Sequence, residues 1–142
     1  MGDSESVRVL VVEDNPDDQE LLHYELKKTA VGKHVLCLSD PRRALDLLSG
    51  EHAAEFKRHL IAIFLDVRLP HMSGIELLEL IRKMDGMEKF PIIVMTASPP
   101  PETVAACQKF QVMALLEKPV TFDKFSKAIA NIFHSPNVAK TD

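Results

Sequence analysis

The amino-acid sequence predicts an α/β domain in which a parallel β-sheet is covered by helices on both faces. Five short apolar runs, three of them rich in Val and Ile, alternate with segments of helical periodicity. Three of the runs are almost continuously apolar, which is typical of strands buried on both faces of a parallel sheet. Strands that alternate with helices predict right-handed crossovers and a three-layer domain.

The predicted strands differ in how completely apolar they are. They are Val7–Val12, His34–Leu38, Ile61–Leu65, Ile92–Met95 and Val112–Leu116. The second is the more mixed run, as expected of an edge strand. The segment 49–60 is predicted either to extend the second helix or to form a loop with one helical turn.

Capping residues mark the starts of the predicted helices. Asn15, Asp40 and Ser98 each precede a proline, and this order is typical of a helix N-terminus. Thr121 can cap the last helix, whose apolar residues return every three or four positions. The third predicted helix carries the apolar stripe Leu77, Leu78, Ile81 and Met84.

Length and composition indicate one folded domain. The chain has 142 residues, and domains usually contain about 100–150. We expect a single domain over 1–142, with a core over about 7–133 and polar tails at 1–6 and 135–142. With 46% hydrophobic and 27% charged residues, the composition is that of a globular protein.

Several classes of protein are disfavoured by the composition. A net charge of −4 argues against nucleic acid as a partner. No apolar stretch approaches the roughly 18 residues of a membrane span, and Met1–Ser6 is too polar for a signal peptide. Cys37 and Cys107 are far apart, so neither a disulfide framework nor a zinc site is indicated. We therefore expect a cytoplasmic protein without a membrane partner.

Side chains suited to chemistry follow four of the five predicted strands. Glu13 and Asp14 come after the first strand, Asp66 after the third, Thr96 after the fourth and Lys118 after the fifth. In an open parallel sheet, ligands bind outside the carboxyl ends of the strands. We therefore expect these residues to share one shallow pocket.

The residue types in this pocket favour phosphoryl chemistry. Clustered carboxylates repel one another, and oxygen ligands with retained waters are typical of a Mg²⁺ site. Lys118 adds a positive charge and Thr96 a hydroxyl, which suit the oxygens of a transferring phosphoryl group. Aspartyl phosphate is an established covalent species. Asp66 is the expected nucleophile, because it stands alone while Glu13 and Asp14 form a pair.

Four sequence strings resemble one known family. They are VLVVEDNPDD (9–18), FLDVRLPHMSG (64–74), VMTAS (94–98) and LLEKPV (115–120). Together they resemble the receiver domain of bacterial two-component response regulators, over residues 7–133. The strings VEDNPDD and KPVTFDKF are most similar to the small stand-alone regulators associated with phytochrome-type histidine kinases.

The resemblance implies a flavodoxin-like fold with strand order 2-1-3-4-5. It implies that Asp66 is the phosphoacceptor and that Mg²⁺ is bound at the same site. In this arrangement Asp14 binds the metal directly and Glu13 acts through water. The backbone carbonyl of Arg68 supplies a further ligand.

The resemblance also assigns residues that contact the phosphoryl group. Thr96 and Lys118 bind phosphoryl oxygens, and Ala97 leaves access to them. The Lys118–Pro119 peptide bond is expected to be cis.

The sequence departs from the family pattern at positions that transmit the signal. The residue three before the pocket lysine is often Tyr or Phe, whose ring moves on activation, and here it is Leu115. The usual Gly-Ala before the fifth strand is replaced by Gln111-Val112, so the turn must be built differently. The prolines 99–101 stiffen the loop after Thr96. We expect activation to change residues 96–101 more than Leu115.

The leading hypothesis is a stand-alone signalling module rather than a classical enzyme. A sensor histidine kinase would phosphorylate Asp66. An unknown partner would then bind at the fourth predicted helix, fifth strand and fifth helix, and the phosphorylated form is a possible homodimer. Two alternatives are a relay intermediate that passes the phosphoryl group to another His protein, and a receiver-fold binding module that works without phosphorylation. A haloacid-dehalogenase-like hydrolase is disfavoured, because it needs an acid where Arg68 stands.

Overall fold

The computed structural model describes residues 6–29 and 31–134, so most of the two predicted tails lies outside the described residues. The strands are β1 Val9–Val12, β2 Val35–Leu38, β3 Ala62–Asp66, β4 Ile92–Thr96 and β5 Ala114–Glu117. They form one sheet of five strands in the order β2-β1-β3-β4-β5, and every neighbouring pair is parallel. The predicted doubly wound, flavodoxin-like fold is therefore confirmed.

The helices cover both faces of the sheet. They are α1 Pro16–Leu26, α2 Pro41–Ser49, α3 Ala53–Lys57, α4 Gly74–Arg82, α5 Pro101–Lys109 and α6 Phe122–His134. For 49–60, the alternative of a loop with one helical turn is confirmed: α2 ends before Gly50, and a separate short helix, α3, follows. The fourth and fifth predicted helices are therefore α5 and α6.

Three of the predicted helix caps are present. The Asn15 side chain accepts a hydrogen bond from the Asp18 amide at 3.0 Å. Asp40 accepts one from the Arg42 amide at 2.9 Å. Thr121 caps α6 by accepting from the amide of Lys124 at 3.3 Å. These bonds satisfy amides that the first helical turn leaves without a partner.

The predicted start of the fourth helix at Ser98 is wrong. Helix α5 begins at Pro101, with Pro100 at the cap position and no side-chain cap. A residue that precedes a proline is disfavoured in the helical region, so neither Pro99 nor Pro100 can readily begin the helix. Pro101, the last of the three prolines, can begin the helix, because its missing amide hydrogen is not needed in the first turn.

Two apolar layers hold the sheet between the helices. Leu10 and Val12 of β1 face the layer that includes α2, α4 and α5. Val9 and Val11 face the layer formed with α1 and α6. In the second layer, the rings of Phe64 in β3 and Phe125 in α6 stack with centroids 5.0 Å apart. Burial on both faces explains why these strands are continuously apolar.

The turn after α5 is built around an arginine. Gln111 has a φ of +56°, a left-handed conformation that most residues avoid. The Arg82 guanidinium, at the end of α4, donates to the carbonyl oxygens of Phe110 at 2.8 Å and Gln111 at 3.1 Å. It also donates to those of Met87 at 2.9 Å and Phe90 at 2.8 Å. Arg82 therefore ties the turn before β5 to the end of α4.

Candidate functional site at the carboxyl edge of the sheet

The carboxyl ends of the strands bring the predicted polar residues to one edge. Glu13 directly follows β1, while Asp66 and Thr96 are the last residues of β3 and β4, and all three are buried. Lys118 directly follows β5. The amide of Lys118 donates to the carbonyl oxygen of Thr96 at 2.8 Å, which aligns β4 with the segment that carries the lysine.

The Lys118 ammonium is the centre of this site. Its nitrogen lies 2.8 Å from Oε1 of Glu13 and 3.2 Å from Oδ1 of Asp66. It also lies 2.7 Å from Oδ2 of Asp18, in the first turn of α1. The structure therefore joins three of the predicted residues and adds Asp18, to which the sequence analysis assigned no role.

The Glu13 carboxylate is held from two sides. Its Oε2 accepts a hydrogen bond from the backbone amide of Asn15 at 3.1 Å, while Oε1 faces Lys118. The side-chain amide of Gln19 donates to the backbone carbonyl of Glu13 and to the hydroxyl of Ser39 at 3.2 Å. These contacts fix the loop after β1 against the loop after β2.

Burial and neighbouring charges shift the pKa values of Glu13 and Lys118. Burial raises the pKa of Glu13 from 4.5 to about 7, despite the hydrogen bond from Lys118, and the nearby Asp66 adds to this increase. Burial lowers the pKa of Lys118, but the hydrogen bonds with Asp18 and Glu13 and the charges of Glu13 and Asp66 outweigh it. The net pKa of Lys118 is therefore raised, and the ammonium stays charged.

A glycine supports the backbone of Asp66. Gly74 begins α4, and its amide donates to the carbonyl oxygen of Val67 at 2.8 Å. A Cβ atom at position 74 would lie 2.0 Å from the carbonyl oxygen of Asp66, so any larger residue would displace this backbone. Gly74 therefore permits the close approach of α4 that fixes Asp66 at the edge of the sheet.

The remaining predicted residues lie around this cluster. Asp14, Arg68 and Ala97 are exposed in the loops that follow β1, β3 and β4. The Lys118–Pro119 peptide bond is cis. Leu115 is half-buried against the apolar layer that contains α5.

The carboxylates do not form a ready-made metal cage. Among residues 6–29 and 31–134, no group of three or more His, Cys, Asp or Glu side chains is arranged to hold a metal ion. Mg²⁺ commonly takes only one or two carboxylates from a protein and keeps several waters. The oxygen donors of Asp14, Asp66 and the Arg68 backbone therefore fit Mg²⁺ by type.

Within the same described residues, no helix is long and apolar enough to cross a membrane.

Comparison with known proteins identifies the family. Residues 9–130 match the response regulator receiver domain. The chain belongs to this family. Receiver domains are the signalling phosphoacceptors of two-component systems rather than classical enzymes, and the predicted family is confirmed.

The matched region makes up very different shares of the individual relatives. The sensory/regulatory protein RpfC of Xanthomonas campestris is 30% identical over 129 residues, which are 89% of this chain but only 16% of RpfC. The bacteriophytochrome response regulator RtBRR is 31% identical with a TM-score of 0.75, over 88% of this chain and 76% of that one. The Mn²⁺-bound form of response regulator Rcp1 is 26% identical with a TM-score of 0.68, over 88% of this chain and 91% of that one. The predicted similarity to phytochrome-associated regulators is thus confirmed.

Proposed function

We propose that this receiver domain accepts a phosphoryl group on Asp66 from the phosphohistidine of a sensor histidine kinase and then binds a partner protein differently. The observation that supports the proposal is the position of the Lys118 ammonium, 3.2 Å from Oδ1 of Asp66 in a largely buried corner. A fixed cation at this place is suited to phosphoryl oxygens, because phosphoryl transfer depends mainly on positioning and charge stabilisation.

In the proposed transfer, a carboxylate oxygen of Asp66 attacks phosphorus and the phosphorus–nitrogen bond to the histidine breaks. The imidazole leaves with the electron pair of that bond. Lys118 stabilises the charge on the phosphoryl oxygens, and Thr96, buried at the end of β4, offers its hydroxyl to the same group. Ala97 is exposed, and its small side chain leaves the approach to the site open.

A divalent cation completes the proposed site. Bound Mg²⁺ would offset the negative charge that phosphorylation adds to the clustered carboxylates. Asp14 and Asp66 would contact it directly, the Arg68 carbonyl would be a further ligand, and Glu13 would act through water. A relative, Rcp1, has a Mn²⁺-bound form, which supports the binding of a divalent ion by this chain.

The proposed output surface comprises α5, β5 and α6. Leu115 lies in β5 opposite Val94 and is already packed against the layer beneath α5. A leucine has neither a ring to swing nor a hydroxyl to exchange partners. The signal should therefore reach the partner through the loop between Thr96 and α5 more than through Leu115.

Labelling with a phosphodonor tests the proposed function. Acetyl phosphate or a phosphorylated histidine kinase should label the protein only in the presence of Mg²⁺, and Asp66→Asn should abolish the label. Asp17→Asn is the matched control, because Asp17 is exposed in α1 and should leave labelling intact. Full labelling of Asp66→Asn would show that the acceptor is another residue.

A further inference from the structure

The Lys118 ammonium forms ion pairs with three carboxylates. The distances are 2.7 Å to Asp18, 2.8 Å to Glu13 and 3.2 Å to Asp66. The shortest contact is thus made with α1 and the longest with the proposed acceptor. An ammonium has three N–H donors, so a phosphoryl oxygen on Asp66 would be a fourth partner for Lys118 and would weaken at least one of the three existing contacts.

The three carboxylates differ in how well water can replace their contact with the Lys118 ammonium. The Glu13 side chain is 1% exposed and that of Asp66 6%, whereas that of Asp18 is 35% exposed. Removing the cation from a buried carboxylate leaves an uncompensated charge, which is costly. A carboxylate that already reaches solvent can be hydrated instead. Asp18 is therefore the partner that can release Lys118 most easily.

We propose that Asp18 is a positioning residue that holds Lys118 towards α1 in the unphosphorylated protein and releases it when a phosphoryl group occupies Asp66. Asp18 competes with the phosphoryl group for the lysine, so it weakens binding of that group and limits how readily the site is occupied. The inference rests on the proposed function of Asp66 and adds a residue outside the predicted set.

The neighbouring residue provides a matched control. Asp17 carries the same charge in the same turn of α1, but it is exposed, and the contacts of the Lys118 ammonium are with Asp18, Glu13 and Asp66. Asp18→Asn and Asp17→Asn remove the same charge at almost the same place. A difference between the two variants therefore reports the contact with Lys118 and not the net charge of the helix.

The test is a titration with beryllofluoride, a phosphoryl mimic, in the presence of Mg²⁺, followed by calorimetry. Asp18→Asn should bind the mimic about two- to fivefold more tightly, the change expected for loss of a partly exposed ion pair. Asp17→Asn should bind like the unmodified protein, and Asp18→Glu should return the affinity towards the unmodified value. The ¹⁵N resonance of the Lys118 ammonium should shift in Asp18→Asn without the mimic.

The outcomes separate this inference from the proposed function. Unchanged or weaker binding by Asp18→Asn, or equal tightening by Asp17→Asn, would overturn the role of Asp18. If the unmodified protein does not bind beryllofluoride, the proposed function of Asp66 fails, and the inference fails with it.

Discussion

The ammonium nitrogen of Lys118 lies 3.2 Å from Oδ1 of Asp66, although the two residues lie at the ends of different strands of the sheet. Strand β4 separates β3 from β5, so the lysine reaches across the end of β4 to meet the aspartate. This contact gives the buried carboxylates their positive counter-charge. It also places the Lys118 ammonium next to the space that the oxygens of a phosphoryl group on Asp66 would occupy.

Removing the Lys118 ammonium should destabilise the metal-free protein. Lys118→Met leaves the buried Glu13 and Asp66 without their counter-charge, and we expect the free energy of unfolding to fall by about 3 kcal/mol. Urea unfolding in the presence of a chelator measures the change. Lys127→Met is the control, because Lys127 is exposed and pairs with the exposed Asp123, so its loss should cost at most about 1 kcal/mol. Equal losses in both variants would contradict the structural role of Lys118.

The pKa of Glu13 predicts a pH dependence of stability. Burial raises this pKa to about 7, so the folded state binds the Glu13 proton more tightly than the unfolded state does. The free energy of unfolding should therefore lose a contribution as the pH rises from about 4.5 to about 7. Glu13→Gln cannot ionise, so its stability relative to the unmodified metal-free protein should increase over this range. If the difference in free energy of unfolding between Glu13→Gln and the unmodified protein does not change with pH, the prediction is contradicted.

The strained turn before β5 offers a stabilising substitution. Gln111 has a φ of +56°, where glycine carries no steric penalty, so Gln111→Gly should stabilise the protein by about 1 kcal/mol. Gln108→Gly is the control, because Gln108 is exposed within α5 and glycine disfavours a helix by about 1 kcal/mol. Thermal unfolding should move in opposite directions for the two variants. A lower melting temperature for Gln111→Gly would show that the arginine-held turn tolerates glutamine without strain.

Amide exchange locates the response to activation. Prolines 99–101 have no amide hydrogen, so the informative loop amides are those of Ala97 and Ser98. Beryllofluoride should slow exchange at these amides more than at Leu115, because Leu115 is already packed and the proline run limits rearrangement to the segment that precedes it. Strong changes at Leu115 with Ala97 and Ser98 unaffected would show that β5 carries the switch.

The sequence was sufficient to predict which residues meet at the sheet edge. Glu13, Asp66 and Lys118 each lie at the carboxyl end of an apolar strand, and a parallel sheet brings all carboxyl ends to one edge. The orientation of the α1 side chains around the helix axis was harder to predict. Asp17 and Asp18 are alike in sequence, and only the orientation of α1 directs one of them towards Lys118. The role of Arg82 could not be predicted from the sequence, because its hydrogen-bond partners are backbone carbonyls that any residue can provide.

The start of α5 was mispredicted for a local reason. Ser98 before Pro99 has the appearance of a capped helix start, but each proline in the run restricts the residue before it. The helix is therefore delayed until Pro101. The helical turn at α3 was predicted only as one of two alternatives, because its five residues are too few to show a helical period.

The identity of the phosphoacceptor is the central claim, and chemical mapping of the phosphorylated protein tests it most directly. Borohydride reduces an aspartyl phosphate to homoserine, which peptide mass spectrometry can locate in the chain. After treatment with acetyl phosphate and Mg²⁺, the account predicts homoserine at position 66 alone and none when Mg²⁺ is omitted. Homoserine at position 14 or 18, or 2-amino-5-hydroxypentanoic acid at position 13, with Asp66 unchanged would contradict the account.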